Sequence, residues 1–152
     1  MALYFFDSSA LIKRYVSETG TPWVIGLTDP ANVHGIYIAR IAGAEVVSAL
    51  TRRQRGGSIT MADLALTLAD FRQDFTNGYR IIEITESLIA RAMSLAESHA
   101  LRGYDAVQLA AATALQEERL LLGLPAPALI SADISLNTAA AEGLSVEDPN
   151  NH

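Results

Sequence analysis

Four apolar or aromatic residues run without interruption from Leu3 to Phe6, and short runs of the same kind recur at Val33–Ile38, Tyr79–Ile84 and Ala128–Ser131, with a briefer one at Leu144–Glu147. Runs of this length bounded by polar or turn residues predict buried strands. The segments between them carry a helical rhythm instead. Helices are expected over about Ser8–Val16, from Thr21 as cap with Pro22 in its first turn to Leu27, and over Ala39–Arg55, closed by Gly56 and Gly57. Thr60 and Asp63 have the spacing of a capping box, and Leu64, Leu68, Phe71 and Phe75 then recur on one helical face until Asn77-Gly78. Further helices are predicted over Glu86–Ala100, Tyr104–Arg119 (after the break at Gly103) and Ile134–Glu142, ending at Gly143, with Gly123–Pro127 a loop.

Strands that alternate with helices imply an α/β fold: a central parallel sheet of four to five strands, covered on both faces. No repeat, low-complexity tract or Pro/Gly/Ser-rich linker divides the 152 residues, so a single domain over 1–152 is expected. A chain of this length can bury roughly 70% of its unfolded surface, and 50% hydrophobic with 18% charged residues is a globular balance. The absence of cysteine removes disulfides, thiolate metal sites and thiol nucleophiles together. Neither a basic signal-peptide start nor an apolar run of membrane-spanning length is present, so a soluble, cytoplasmic protein without membrane contact is expected. A net charge of −6 argues against a protein that coats nucleic acid non-specifically. It does not argue against a nuclease, whose cation site requires its own acids.

The acids are placed unevenly. Right-handed crossovers bring all strand carboxyl ends to one edge of a parallel sheet, so Asp7 and Asp133, each just past a strand, belong to that edge. Helices run back antiparallel to the strands, which brings Asp105, at a helix start, to the same place. Glu45 is expected about two turns into its helix, roughly 10 Å from the start, with its side chain tilted back toward the N-terminus. Aspartate is also a favoured helix cap, which is the plainer role for Asp7, Asp105 and Asp133. Glu45 resists it, because Ile41, Ala42, Val46 and Ala49 surround it with apolar positions. Two carboxylates about 4 Å apart repel by roughly 4 kcal/mol at an effective dielectric of 20, so such a cluster calls for a cation or for raised pKa values. Oxygen ligands without Cys or paired His suit Mg²⁺ or Mn²⁺. His34, His99 and His152 are scattered, and none is assigned a catalytic role. Asp7 is thus either a helix cap or the first acid of a cation site, and in the second case Ser8 and Ser9 are left to cap the first helix.

"FDSSALIKRYVSE" (Phe6–Glu18), "AEVVSALTRR" (Ala44–Arg53), "LRGYDAVQLAAA" (Leu101–Ala112) and "ISAD" (Ile130–Asp133) together resemble the PIN-domain ribonucleases, most of all the VapC toxins of type II toxin-antitoxin pairs. The resemblance runs in order from Phe5 to about Pro149. It implies a three-layer α/β/α PIN-like fold and a metal-dependent endoribonuclease. Matched by position, the family's catalytic, metal-binding acids are Asp7, Glu45, Asp105 and Asp133, with Asp7 and Asp105 as main ligands and Glu45 and Asp133 acting directly or through water. Ser8 or Ser9 and Ser131 match small polar positions that support the metal site. The resemblance further implies one or two Mg²⁺ (or Mn²⁺) ions, products with a 5′ phosphate and a 3′ hydroxyl, a VapB-type antitoxin lying over the active groove, and a homodimer.

Arg102, Lys13, Arg14 and Arg40 are candidates for RNA contact at the groove edge, against the plainer role of solvated charge; Arg102 is best placed, three residues before Asp105. Arg52, Arg53 and Arg55 crowd a helix C-terminus, where they favour the helix dipole or steer phosphates. Trp23 and Tyr104 could stack on bases or pack in the core. Three other readings stand beside the ribonuclease. An aspartyl-phosphate phosphatase wants a second aspartate two residues after the first, where this chain has Ser9. A PIN-like module could hold RNA or protein without cutting. Flap-type DNA nucleases share the metal logic but carry extra helical regions absent here.

Overall fold

The computed structural model describes all of residues 1–152. Five strands, β1 (Leu3–Phe6), β2 (Gly35–Ala39), β3 (Arg80–Ile82), β4 (Ala128–Ile130) and β5 (Ser145–Glu147), form one sheet in the order β3-β2-β1-β4-β5. Every neighbouring pair is parallel, and the register sets Tyr4 of β1 opposite both Ile36 and Ala128. The helices are α1 (Ser8–Leu11), continued by a 3₁₀ turn at Ile12–Arg14, α2 (Thr21–Thr28), α3 (Ala42–Arg55), α4 (Met61–Asn77), α5 (Glu86–His99), α6 (Gly103–Leu121) and α7 (Ile134–Ala140).

The alternation of side chains along each strand divides them between two cores. Phe5, Ala39 and Leu129 face one side with the apolar stripes of α5, α6 and α7. Phe6, Ile36, Ile38 and Ile130 face the other, against Leu11, Val24, Val46, Leu50, Leu64 and Phe71. The result is a three-layer α/β/α sandwich. An alanine run at Ala110–Ala112, all but fully buried, lets α6 lie close to the sheet.

Three boundaries differ from expectation for identifiable reasons. β2 starts at Gly35 because Val33 adopts the left-handed region (φ 53°) and closes a 3₁₀ turn at Pro30–Asn32. α1 is short because the chain tightens into the 3₁₀ turn, with Tyr15 N–H donating to the Ile12 carbonyl. α3 starts at Ala42 rather than Ala39, because Arg40 N–H still donates to the Ile82 carbonyl at 3.0 Å and extends the sheet. That delay moves Glu45 from the second turn of its helix to the first.

The capping box of α4 forms as its spacing predicts, with Asp63 N–H donating to Thr60 Oγ1 and Thr60 N–H to Asp63 Oδ2. The C-terminal 3₁₀ turn (Pro149–Asn151) is fastened to the segment before α2. Gly20 (φ 84°) leaves room for the Pro149 carbonyl, which a Cβ would meet at 2.3 Å. Trp23 stacks on His152 with ring centroids 4.0 Å apart, so one face of its ring is taken within the chain.

Strand order reverses at β1. The segment after β1 turns to one face and the segment after β4 to the other, which opens a crevice at the carboxyl ends of these two strands.

Candidate active site

Asp7 follows β1 directly at that crevice and is 2% exposed. Its Oδ1 accepts from Ala10 N–H at 3.0 Å, so Asp7 caps α1 itself. The expectation that Ser8 and Ser9 would cap is corrected: both hydroxyls turn to carboxylates. Ser9 Oγ lies 2.7 and 2.9 Å from the two Asp7 oxygens, and Ser8 Oγ donates to Glu45 Oε2 at 3.0 Å. From β4, Ser131 Oγ donates to Asp7 Oδ2 at 3.0 Å and accepts from Asp133 N–H at 3.1 Å. Ser9 Oγ in turn accepts from Ala132 N–H at 3.0 Å. Two serines thus stitch the ends of β1 and β4 around one buried carboxylate.

Every donor to Asp7 is neutral. Burial pushes its carboxyl up to about 7, the bonds from Ser9, Ala10 and Ser131 oppose this, and the charge of Glu45 adds to the rise. Glu45 is raised as well, first by burial and then by the charge of Asp105, against bonds from Gln108 and Ser8. Gln108 Nε2 donates to Glu45 Oε1 at 2.7 Å from α6, whereas its buried Oε1 has no partner.

Asp105 lies in the first turn of α6 and Asp133 caps α7, accepting from Leu136 N–H at 2.8 Å. The exposed Arg102 bridges them, with Nε donating to Asp105 Oδ2 and Nη2 to Asp133 Oδ2, both at 3.0 Å. All four acids, with Ser8, Ser9, Arg52, Arg53, Arg102 and Tyr104, line a cleft of about 540 Å³. In this arrangement no three acidic or histidine side chains converge on a common point within ligand reach.

Three sequence candidates lie elsewhere. Lys13 is buried, its ammonium held by Glu18 Oε1 (3.1 Å), the Thr19 carbonyl (2.8 Å) and Asn150 Oδ1 (2.9 Å). Arg14 binds Asp74 at 3.2 Å and Thr28, in a polar cluster with Tyr15 and Tyr79. Arg40 pairs with Glu83 outside the cleft. Arg55 likewise stays outside the cleft, while Tyr104 borders both the cleft and an adjoining apolar groove of about 470 Å³ with Ile41, Ile84, Ile89 and Met93.

Gln108 and the stitching role of Ser9 escaped the sequence reading. The available signal for Gln108 was its position three residues after Asp105, a lone amide on an otherwise apolar helix face.

No family profile matches the chain. Ribonuclease VapC45 of Mycobacterium tuberculosis is 36% identical over 124 residues, covering 82% of this chain and 84% of that protein. Among solved structures, a toxin-antitoxin complex from Klebsiella pneumoniae aligns with a TM-score of 0.61 at 20% identity, covering 98% of both chains. Mycobacterium tuberculosis VapC20, described as a sarcin-ricin loop cleaving toxin, aligns with a TM-score of 0.60 at 15% identity over 93% of this chain and 95% of that one.

Proposed function

The chain belongs to the VapC ribonucleases, and from that premise we propose that it is a divalent-metal-dependent endoribonuclease acting as the toxin of a toxin-antitoxin pair. The observation that carries this reading is that all four carboxylates line one cleft at the reversal of strand order, with Asp7 buried among neutral donors only. A buried carboxylate without a countercharge suits a site completed by a cation, and the donors on offer are all oxygens, as Mg²⁺ or Mn²⁺ prefers.

Asp7 and Asp105 would be the main ligands, with Glu45 and Asp133 holding the ion directly or through water. A bound divalent ion supplies acidified water and charge neutralisation for in-line hydrolysis of a phosphodiester. The chain's own contribution is orientation. Ser9 and Ser131 fix both Asp7 oxygens, Ser8 and Gln108 fix those of Glu45, and the α7 N-terminus fixes Asp133. No side-chain nucleophile is required, and cleavage would leave a 5′ phosphate and a 3′ hydroxyl.

The same reading includes a VapB-type antitoxin, for which the apolar groove beside the cleft, with Ile89 and Met93 exposed, is a suitable seat. It also includes a homodimer. The exposed Leu120, Leu121 and Leu122 at the end of α6 are unpartnered apolar surface of the kind such a contact buries.

The bridge of Arg102 across Asp105 and Asp133 favours one competing reading, a module that binds RNA without cutting. Incubation of purified protein with a structured RNA, in EDTA and then in Mg²⁺ or Mn²⁺, separates the two. Cleavage that needs the metal and disappears in Asp7→Asn and Asp105→Asn supports the enzyme. Binding without cleavage, or cleavage unaffected by those substitutions, overturns it.

A further inference from the structure

Three arginines line the acid cleft, and two already have anionic partners. Arg53 Nη2 donates to Glu18 Oε2 at 2.7 Å, and Arg102 spans Asp105 and Asp133. Arg52 is the third. Its side chain makes no hydrogen bond or ion pair with any group of the protein, and the residue is exposed. A cleft guanidinium with no anionic partner of its own is the natural contact for an anion brought in from outside.

Its position defines which anion. Glu45 and Arg52 are seven residues apart on α3, two turns on one helical face, hence roughly 10 Å along the axis. Ala44, Glu45, Ser48, Ala49 and Arg52 all line the cleft, so between the acid end and the guanidinium the wall is built from small side chains. With its backbone two turns from Glu45, Arg52 suits a neighbouring phosphate on the same strand better than the one at the carboxylates. The helix dipole offers a plainer role for Arg52, yet Arg55 sits in the same last turn without facing the cleft, which makes it the internal control.

We propose that Arg52 is a positioning residue that holds a backbone phosphate of the RNA strand flanking the scissile one, with α3 as the wall along which the strand lies. The proposal rests on the cleft being an RNA-cleaving site. A phosphate contact carries no base information, so its loss weakens all sequences alike, and each such contact on a single strand contributes about 0.7 to the slope of log K against log salt.

The test compares the full-length wild type with Arg52→Ala, Arg52→Lys and Arg55→Ala. Binding of a fluorescent single-stranded oligoribonucleotide is followed by anisotropy in Ca²⁺ over a salt series, and cleavage kinetics are followed in Mg²⁺. Arg52→Ala is expected to weaken binding on the order of tenfold. It should also flatten the salt slope by about 0.7 and raise KM with kcat nearly unchanged. Arg52→Lys recovers most of the slope, and Arg55→Ala matches the wild type. An unchanged slope in Arg52→Ala, or an equal change in Arg55→Ala, overturns the proposal. If the wild type binds RNA through Arg52 but never cuts, the cleavage reading fails while the phosphate contact stands; if it binds no RNA, both fall.

Discussion

Ser131 Oγ donates to Asp7 Oδ2 at 3.0 Å across 124 residues of chain, and the same oxygen accepts from Asp133 N–H at 3.1 Å. One hydroxyl thereby couples the carboxyl ends of β1 and β4 and fixes two of the four acids. Ser131→Ala removes one partner from a buried Asp7 oxygen and the partner of the half-buried Asp133 N–H. The expected loss is about 1–3 kcal/mol of stability, read by urea denaturation, together with a fall in kcat. A variant as stable and as active as the parent would show that the stitch is incidental.

Asp7 sets the pH response of the metal-free protein. Its carboxyl is raised from 3.8 to about 7, so between those values the folded form holds a proton that the unfolded chain has released. Stability from this group is therefore full below about pH 4 and is lost as pH rises through 7, a change on the order of a few kcal/mol. Calorimetry in EDTA should find a lower Tm at pH 8 than at pH 5, with the difference much reduced in Asp7→Asn. Mg²⁺ or Mn²⁺ added at pH 8 should recover the lost Tm in the wild type only. Equal pH slopes in the two proteins would refute the assignment.

Gln108 is expected to tune Glu45. Its bond opposes the upward push of burial, so Gln108→Leu lets the Glu45 carboxyl rise further. The acid limb of the pH profile of kcat/KM should move to higher pH, with kcat lower by about tenfold at neutrality. A drop in rate with no movement of the limb would mean that Gln108 only packs.

Arg102 competes with a cation for the same two carboxylates. Arg102→Ala should bind Mn²⁺ several-fold more tightly by isothermal titration calorimetry, a measurement independent of turnover. Weaker or unchanged metal binding would mean that the bridge does not stand in the cation's way.

Lys13 gives the converse test. It is buried on three acceptors and does not line the cleft, so Lys13→Ala should cost about 2–4 kcal/mol. At a temperature where the variant remains folded, kcat and KM should match the parent. A selective rise in KM would return Lys13 to the RNA-binding groove.

The apolar runs and helical rhythms of the chain specified a parallel α/β sandwich, because burial on both faces requires short continuous strands alternating with amphipathic helices. The topology of that sandwich also brought Asp7, Asp105 and Asp133 to one edge, since crossover handedness leaves no other place for residues just after strands or at helix starts. Tertiary structure alone decided the rest. Arg40 remained hydrogen-bonded to β3, which delayed α3 and moved Glu45 into its first turn. Lys13 and Arg14 sit in an apolar-polar pattern that reads as surface, yet partners 137 and 60 residues away drew them inward. Gln108 acquired its role through a contact 63 residues distant, and although Ser131 was legible as a supporting position, its bond to Asp7 across 124 residues was not, because no local spacing encodes such pairings. Periodicity reports which face of an element is buried; which polar atom meets which is settled only when the elements pack.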